Sequence, residues 1–446
     1  MPRGLIRREG PTAARERPMS LANLADLRSG AASGARELHL GGCGLTEFPR
    51  EIFGLADTLE VLDLGFNALS SLPDDLGRLH RLRALFCSGN RFERLPPALG
   101  DCAALSQVGF RGTGMREVPA EALPPHLRWL TLTDNQIETL PAALGERPAL
   151  QKLMLAGNRL RALPDGLAAA PALELLRIAA NGFEAAPAWL AEHPCLAWLA
   201  WAGNPFARGA APTGRLVDWR DLRVGPLLGQ GASGLVHRVE WSGAPQAAAL
   251  KLFKGSMTSD GLPQHEMAAC LTAGAHPQLV GALGRLSGHP EGRDGLLMPL
   301  LPDHWRVLAG PPSLESCTRD VYDPGLRLSG AVALRIAHRI AQAAAHLHGC
   351  GLTHGDLYAH NILWDGDAGE AVLSDFGAAS VLPEGSGLAR LELRAFGLLV
   401  DELLQASADE VGSVLRDVRD ACLQPDVARR PGMVAVVDAL EVVDRG

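Results

Sequence analysis

An asparagine that returns every 23 residues or so constrains the first half of this chain more than any other feature. Cys43, Asn67, Asn90, Thr113, Asn135, Asn158, Asn181 and Asn204 stand in one frame, at intervals of 24, 23, 23, 22, 23, 23 and 23 residues. Only eight Asn occur in the whole chain, and six of them hold this position. The segments Leu59 to Leu69 (LEVLDLGFNAL), Leu150 to Leu160 (LQKLMLAGNRL) and Leu173 to Phe183 (LELLRIAANGF) share the pattern L-x-x-L-x-L-x-x-N-x-L. A fixed period of this length marks stacked units, each too small to bury its own apolar face. At every step the chain must turn after a short strand, and an Asn side chain can hydrogen-bond the backbone groups the turn leaves unpaired. A proline follows at a constant offset (Pro49, Pro73, Pro96, Pro119, Pro141, Pro164, Pro187). Because proline has no N–H to give to a strand ladder, the second half of each unit is expected to be an irregular or short helical arc.

These residues resemble the leucine-rich repeats of the short, intracellular type, in about eight units over 36–206. The resemblance implies a horseshoe whose parallel strands line the concave side. By the two-residue strand period, Leu62 and Leu64 point inward while Val61, Asp63 and Gly65 point out. The same frame places Phe86, Trp129, Met154, Leu175 and Trp198 on the concave surface, where large apolar side chains are expected to recruit a protein partner. Ser20 to Ser29 reads as a helix capping the first repeat, after a solvated Arg-rich tail in which either Met1 or Met19 is the initiator.

Composition narrows the rest. Lys and Arg total 42 against 50 Asp and Glu, a net charge of -8, so the balance does not suit nucleic acid or an anionic membrane. No uncharged apolar run reaches the roughly 18 residues a membrane span needs. The eight Cys form no C-x-x-C pair, so neither a disulfide framework nor a zinc cage is readable, and the cytoplasm is the expected location. Lys occurs three times only, at Lys152, Lys251 and Lys254. In a chain this rich in Arg, each retained Lys is informative.

Repeats stop after Phe206, and a Gly/Ala/Pro-rich stretch (207–218) reads as a linker to a second domain over 219–446. It opens with Gly229-Gln-Gly231-Ala-Ser-Gly234-Leu-Val236. This spacing alone also fits a dinucleotide-binding turn, but there a helix would follow the third Gly, whereas Leu235 to Glu240 alternates like a strand. Lys251 ends an apolar strand 17 residues after Gly234, where an ammonium can pair with nucleotide phosphates. Farther on come Thr353-His354-Gly355-Asp356 and Asn361, five residues past Asp356, then Asp375-Phe376-Gly377, fourteen past Asn361. Phosphoryl transfer needs a carboxylate to accept the attacking hydroxyl's proton and hard oxygen ligands for magnesium, and Asp356 with Asn361 and Asp375 supplies both.

This ordered set resembles a eukaryotic-type serine/threonine protein kinase domain. The resemblance implies an α+β bilobal fold binding ATP and magnesium. It makes Gly229, Gly231, Gly234 and Val236 the glycine-rich loop, Lys251 the phosphate-binding lysine, and Glu266 its helix partner. Asp356 becomes the catalytic base, Asn361 and Asp375 the metal ligands, and Met298 with Leu301 the adenine hinge. Leu334 to Leu347 has the period of the long helix before the catalytic loop, with Ile336, Ile340, Ala343, Ala344 and Leu347 on one face.

Departures from the family pattern carry equal information. Gly355 replaces the catalytic-loop arginine, so activity is not expected to depend on a phosphorylated activation loop, although that segment offers Ser380 and Ser386. Tyr358 stands where serine/threonine kinases carry Lys, removing a cation from the transferring group. Only 14 residues separate Gly377 from Glu392, which occupies the place of the usual anchoring Asp, and Arg430 is left without its usual glutamate partner. Two readings follow: an ATP- and magnesium-dependent protein kinase whose repeats choose the partner, or a pseudokinase scaffold whose kinase fold is weak or inert.

Overall fold

The computed structural model describes residues 24–207, 214–231, 233–243, 246–255, 257–408 and 413–444. The residues expected to form the tail, Ser20 to Asn23 of the capping helix, most of the Gly/Ala/Pro-rich stretch and Ala232 of the glycine-rich run lie outside them. A short helix α1 (Leu24–Ser29) precedes the repeats and buries Leu27 against the first of them. Eight three-residue strands follow: β1 (Glu37–His39), β2 (Val61–Asp63), β3 (Ala84–Phe86), β4 (Gln107–Gly109), β5 (Trp129–Thr131), β6 (Lys152–Met154), β7 (Leu175–Arg177) and β8 (Trp198–Ala200). They form one parallel sheet in chain order without a register slip, so Leu38, Leu62, Leu85, Val108, Leu130, Leu153, Leu176 and Leu199 stand side by side as one inward row.

The asparagine ladder forms as its spacing demands. Asn158 is typical: its Oδ1 accepts from Ile137 N (3.0 Å), while its Nδ2 donates to Leu132 O and Leu155 O, both at 2.9 Å. Each Asn thus ties the strand end of its own repeat to that of the repeat before, as Asn67, Asn90, Asn135, Asn181 and Asn204 also do. The prolines open 3-10 turns on the convex arc, including Arg50–Leu55 after Pro49 and Ala188–Glu192 after Pro187.

The second half begins as a six-stranded sheet in the order β10-β11-β12-β14-β13-β9. Its members are β9 (Leu216–Asp218), β10 (Leu222–Gln230), β11 (Gly234–Trp241), β12 (Ala248–Phe253), β13 (Gly284–Ser287) and β14 (Gly295–Pro299). Neighbours are antiparallel except β9 and β13, so the stretch leading out of the solenoid ends as an edge strand of this sheet. Helix α2 (Pro263–Ala273) lies between β12 and β13 in the chain. A helical lobe follows, with α3 (Gly330–Gly349) at its centre and Ile336, Ile340, Ala343, Ala344 and Leu347 fully buried. Three short antiparallel strands, β15 (Arg306–Val307), β17 (Ile362–Trp364) and β18 (Ala371–Leu373), and the pair β16 (Leu352–Thr353) with β19 (Ser380–Val381) frame the loops beneath. Helices α4 (Ala389–Ala406), α5 (Ser413–Cys422) and α6 (Met433–Asp444) complete it. No helix among the described residues is long and apolar enough to cross a membrane.

The two halves share their cores. Met154, Leu175, Ala197 and Trp198 of the solenoid belong to the apolar cluster built around α3, and Leu388, Leu391 and Val427 of the helical lobe belong to the solenoid's cluster. The concave strip expected to face a partner is therefore covered by the chain itself: Trp198 is 1% exposed, Leu175 4% and Met154 7%, while Phe86 and Trp129 remain half-buried. Sequence reasoning located the strip but took the occupant to be another molecule, because nothing local to either half reveals that one caps the other.

Two stability predictions follow. Replacing Asn158 by Ala removes three buried hydrogen bonds and leaves backbone groups of two repeats unpaired, which should cost about 2–4 kcal/mol, read as a lower denaturant midpoint. Glu402, on α4, is pushed up to about 7 by burial and then by the Asp320 carboxylate, against the hydrogen bond it accepts from Tyr322 (3.2 Å). The folded state therefore holds this proton more tightly than the unfolded chain, so its contribution is complete below about pH 4.5 and is lost as pH rises through 7. Glu402→Gln should leave stability unchanged at pH 4 and raise it by about 2–3 kcal/mol at pH 8; equal effects at both values would exclude a raised carboxyl.

Candidate functional site

The glycine-rich run is a hairpin. β10 and β11 pair with Gly229 opposite Val236 and Gln230 opposite Leu235, and Gly231 N bonds Gly234 O (3.0 Å) across the turn. Lys254 Nζ reaches Gly231 O at 2.8 Å. A Cβ at Gly229 or Gly231 would meet nothing, so the turn's backbone lies open, whereas Gly234 packs tightly on the carbonyl of Leu252.

Val236 sits directly opposite Lys251 in the β11–β12 pair. The alternating pattern of β12 carries Lys251 to the face where α2 brings Glu266, and the two side chains form a buried ion pair. Burial opposes the Lys251 charge, yet Asp375 and Glu266 together raise the ammonium above the usual lysine range. Met298 lies opposite Ala249 near the end of β14, packed against the helical-lobe core, and Leu301 follows just past the strand.

The loop between β16 and β17 brings together the second group. Asn361 Nδ2 donates to Asp356 O (2.9 Å) and to Asp356 Oδ2 (2.8 Å). Asn361 O accepts from Ser374 N and Oγ, both at 2.8 Å, which sets Asp375 beside it. Asp375 has φ 61°, a left-handed conformation costly for a non-glycine residue, and its Oδ1 accepts from Gly377 N at 3.1 Å. His354 Nε2 bonds Ser374 O (3.0 Å), tying the two acidic segments together. From below, Glu392 on α4 accepts from Gly355 N (2.7 Å) and from His348 Nε2 (2.8 Å), and these partners keep it ionised against its burial. Glu392 thus anchors the loop by its backbone, as its alignment with the family Asp implied.

The solenoid supplies the rest of the surroundings. Arg177, at the end of β7 and 1% exposed, inserts its guanidinium between three acceptors. Nη2 pairs with Asp356 Oδ1, Nη1 donates to Gly355 O (3.0 Å), and Nε donates to Asp260 Oδ1 (2.6 Å). One repeat on, Trp198 stacks on Tyr358 with centroids 4.2 Å apart and planes 6° off parallel, and its Nε1 donates to Leu357 O (3.0 Å). Trp201 and Ala202 donate their backbone N–H groups to Ser380 Oγ at 3.0 and 3.1 Å, and Trp201 Nε1 donates to Val381 O at 2.9 Å. Ser380 is therefore buried at 1% exposure and is not an open modification site. Farther along the concave face, Glu174 takes a bidentate pair from Arg319 (2.7 and 2.9 Å) and a bond from Thr318 (2.6 Å).

The departures noted in the sequence acquire a shape here. Gly355 has φ +71°, and a Cβ there would lie 2.8 Å from Leu199 O of the solenoid and 2.6 Å from Ala378 O. The arginine that the family carries at this point would collide with β8. Tyr358 fills the flat slot beside Trp198, and its buried hydroxyl has no partner among the described residues. Arg430 is likewise taken up by carbonyls, those of Gln424 (2.9 Å), Arg390 (3.3 Å) and Pro194 of the solenoid (2.6 Å), and burial pushes it down to about 10. Arg177 and Asp260 were not singled out in the sequence. The available signal was an arginine in a concave row that otherwise reads His39, Asp63, Phe86, Gly109, Thr131, Met154 and Ala200.

The donor set suits a magnesium-bound nucleoside triphosphate. Asn361 and Asp375 carry hard oxygens on segments joined through Ser374, Lys251 is a charged ammonium held near Asp375, and the open hairpin backbone at Gly229 to Gly231 leaves room for phosphates.

Comparison with known proteins agrees with both halves. A protein kinase domain profile matches residues 222–396, and a leucine-rich repeat profile matches residues 33–92. Podocan of Mus musculus is 35% identical over 125 residues, covering 27% of this chain and 20% of podocan. A leucine-rich repeat protein of Leptospira interrogans aligns with a TM-score of 0.38 and 28% identity, covering 41% of this chain and 46% of that one. The chain thus spans a fifth of the first and under half of the second. Profile, period and ladder agree for the first half, and profile, hairpin and the 354–361 loop agree for the second: this chain carries leucine-rich repeats joined to a protein kinase domain.

Proposed function

We propose that the chain is an ATP- and magnesium-dependent protein kinase of the serine/threonine type. The observation that carries this reading is the completeness of the set: Lys251 is paired with Glu266, Asp356 is bonded to Asn361, and Asp375 is close enough to raise the Lys251 ammonium and follows Ser374, which bonds Asn361. Loss of catalysis over time would be expected to erase at least one of these residues.

Lys251 would hold the phosphates, fixed in aim by Glu266 on α2. Asn361 and Asp375 would hold magnesium, which supplies charge neutralisation at the transferring phosphoryl group. Asp356 would orient an acceptor hydroxyl and take its proton at a carboxylate oxygen. Met298 and Leu301 would frame the adenine at the hinge after β14. The repeats would serve this domain from within the chain, since the centre of their concave face is covered by it. A scaffold with an inert kinase fold is favoured by one observation, the engagement of Asp356 by Arg177, and the assay below separates the two.

Wild-type protein with ATP and magnesium should show a raised melting temperature and transfer labelled phosphate to itself or to casein. Lys251→Ala and Asp375→Ala should each lower the rate by about 100-fold or more while the solenoid stays folded. Thermal stabilisation without transfer would favour the scaffold; neither response would sink the kinase reading. Exchange of Ser386 for Ala should leave specific activity within about twofold, since Gly355 provides no cation to receive a phosphate. A tenfold loss, about 1.4 kcal/mol in barrier, rescued by Asp would overturn that point.

A further inference from the structure

We propose that Arg177 of the solenoid is a positioning residue of the phosphotransfer centre, which makes the repeats a structural part of the enzyme. This rests on the kinase reading above and extends it to a residue outside the kinase domain.

Three observations converge. The first is the contact itself: a guanidinium at 1% exposure spends all three of its nitrogens on the catalytic loop and on Asp260. It takes Asp356 Oδ1 while Asn361 Nδ2 takes Oδ2, so both oxygens of the candidate base are held from opposite sides, by two different domains. A carboxylate fixed in this way keeps a free lone pair on each oxygen in a defined direction, which is what orienting an acceptor hydroxyl requires.

The second is a matching deficit. Tyr358 stands where a lysine would place a positive charge beside Asp356 from within the loop. Arg177 brings a positive charge to the same carboxylate from without. The phenol that replaces the lysine is not idle space, because it stacks on Trp198 at 4.2 Å and so holds β8, the strand next to Arg177, against the loop.

The third separates a permanent part from a releasable brake. An arm that blocks the site and then leaves would expose what it covers. Here, departure would uncover Trp198, Leu175, Met154 and Tyr358, all below 8% exposed, and would leave Asp260 and Asp356 without the cation between them. Uncompensated charges of this kind cost several kcal/mol. Gly355 is shaped to the docked arrangement, since Leu199 O lies 2.8 Å from where a Cβ would be. Trp201 and Ala202 also hold Ser380 of the short segment after Gly377, fixing by backbone bonds what a phosphate and an arginine fix elsewhere.

The test uses the full chain, ATP–magnesium and casein as acceptor, with Arg177→Met and Arg177→Lys beside wild type. Arg177→Met should lower kcat by about 30-fold or more with KM for ATP within about threefold, because the residue acts on the base and not on the nucleotide. Arg177→Lys restores the charge but not the three-donor fork, and should recover about a tenth of the wild-type kcat. A Met variant that turns over as fast as wild type makes the contact structural only, and one that turns over faster makes it a brake; either overturns the inference and leaves the kinase reading standing. If the Met variant does not fold, the Lys variant decides: at an unchanged melting temperature, a kcat about a tenth of wild type with KM for ATP within about threefold supports the inference, and a kcat equal to that of wild type overturns it. Wild type that neither binds ATP nor transfers phosphate fails the kinase reading first and this inference with it.

Discussion

The arrangement depends on one buried guanidinium. Arg177 sits between Asp260, which precedes α2, and Asp356 of the catalytic loop, and so ties the sheet-bearing lobe, the helical lobe and the solenoid at a single point. Burial alone would drive an arginine toward losing its proton, but the Asp356 and Asp260 carboxylates hold its pKa above even the usual arginine range. The Asp260 carboxyl is held below its usual range by the same cation. Such a cluster is costly to assemble and costlier to break, because each charge depends on the others for its solvation.

Around this point the polar contacts follow the period of the repeats. Strands β4 and β8 present Gln107 and Trp198, and the residues just before β5, β6 and β7 are Arg128, Gln151 and Glu174; in that order these meet Leu314, Leu357, Glu315, Thr318 and Arg319 of the kinase domain. A parallel sheet with one residue of each repeat in each row is suited to reading an extended segment. Here the face meets residues 314–319 of the same chain, which run as turns and bends rather than as a strand.

What the sequence made legible was whatever repeats or comes in ordered motifs. The Asn frame located six of the ladder residues, and the leucine pattern placed the inward row correctly because stacking permits only one register. Lys251, Glu266, Asp356, Asn361 and Asp375 stood out because each falls in an ordered set of motifs, and the structure brings Lys251 to Glu266 and Asp356 to Asn361. Arg177 and Asp260 stayed hidden, being 179 and 96 residues from Asp356 with no motif around either. Gly355 and Tyr358 were read as losses for a related reason: a local pattern shows what is missing, and only the neighbour that fills the space shows why. The concave strip was the converse case: at Met154, Leu175 and Trp198 the row expected to meet a partner meets the second half of the same chain, which no local pattern shows.

The unbroken register of β4 to β8 has one more consequence. Solenoids commonly gain and lose whole units, since each repeat touches only its neighbours. In this chain, one unit inserted or removed between β4 and β7 would shift Arg177 relative to the Gln107 contact by a strand spacing of about 4.8 Å. That is more than the length of a hydrogen bond, so either Arg177 would miss Asp356 or Gln107 would miss Leu314. The stretch is therefore a ruler of fixed length, and its repeat number is set by the distance between two places on the kinase domain.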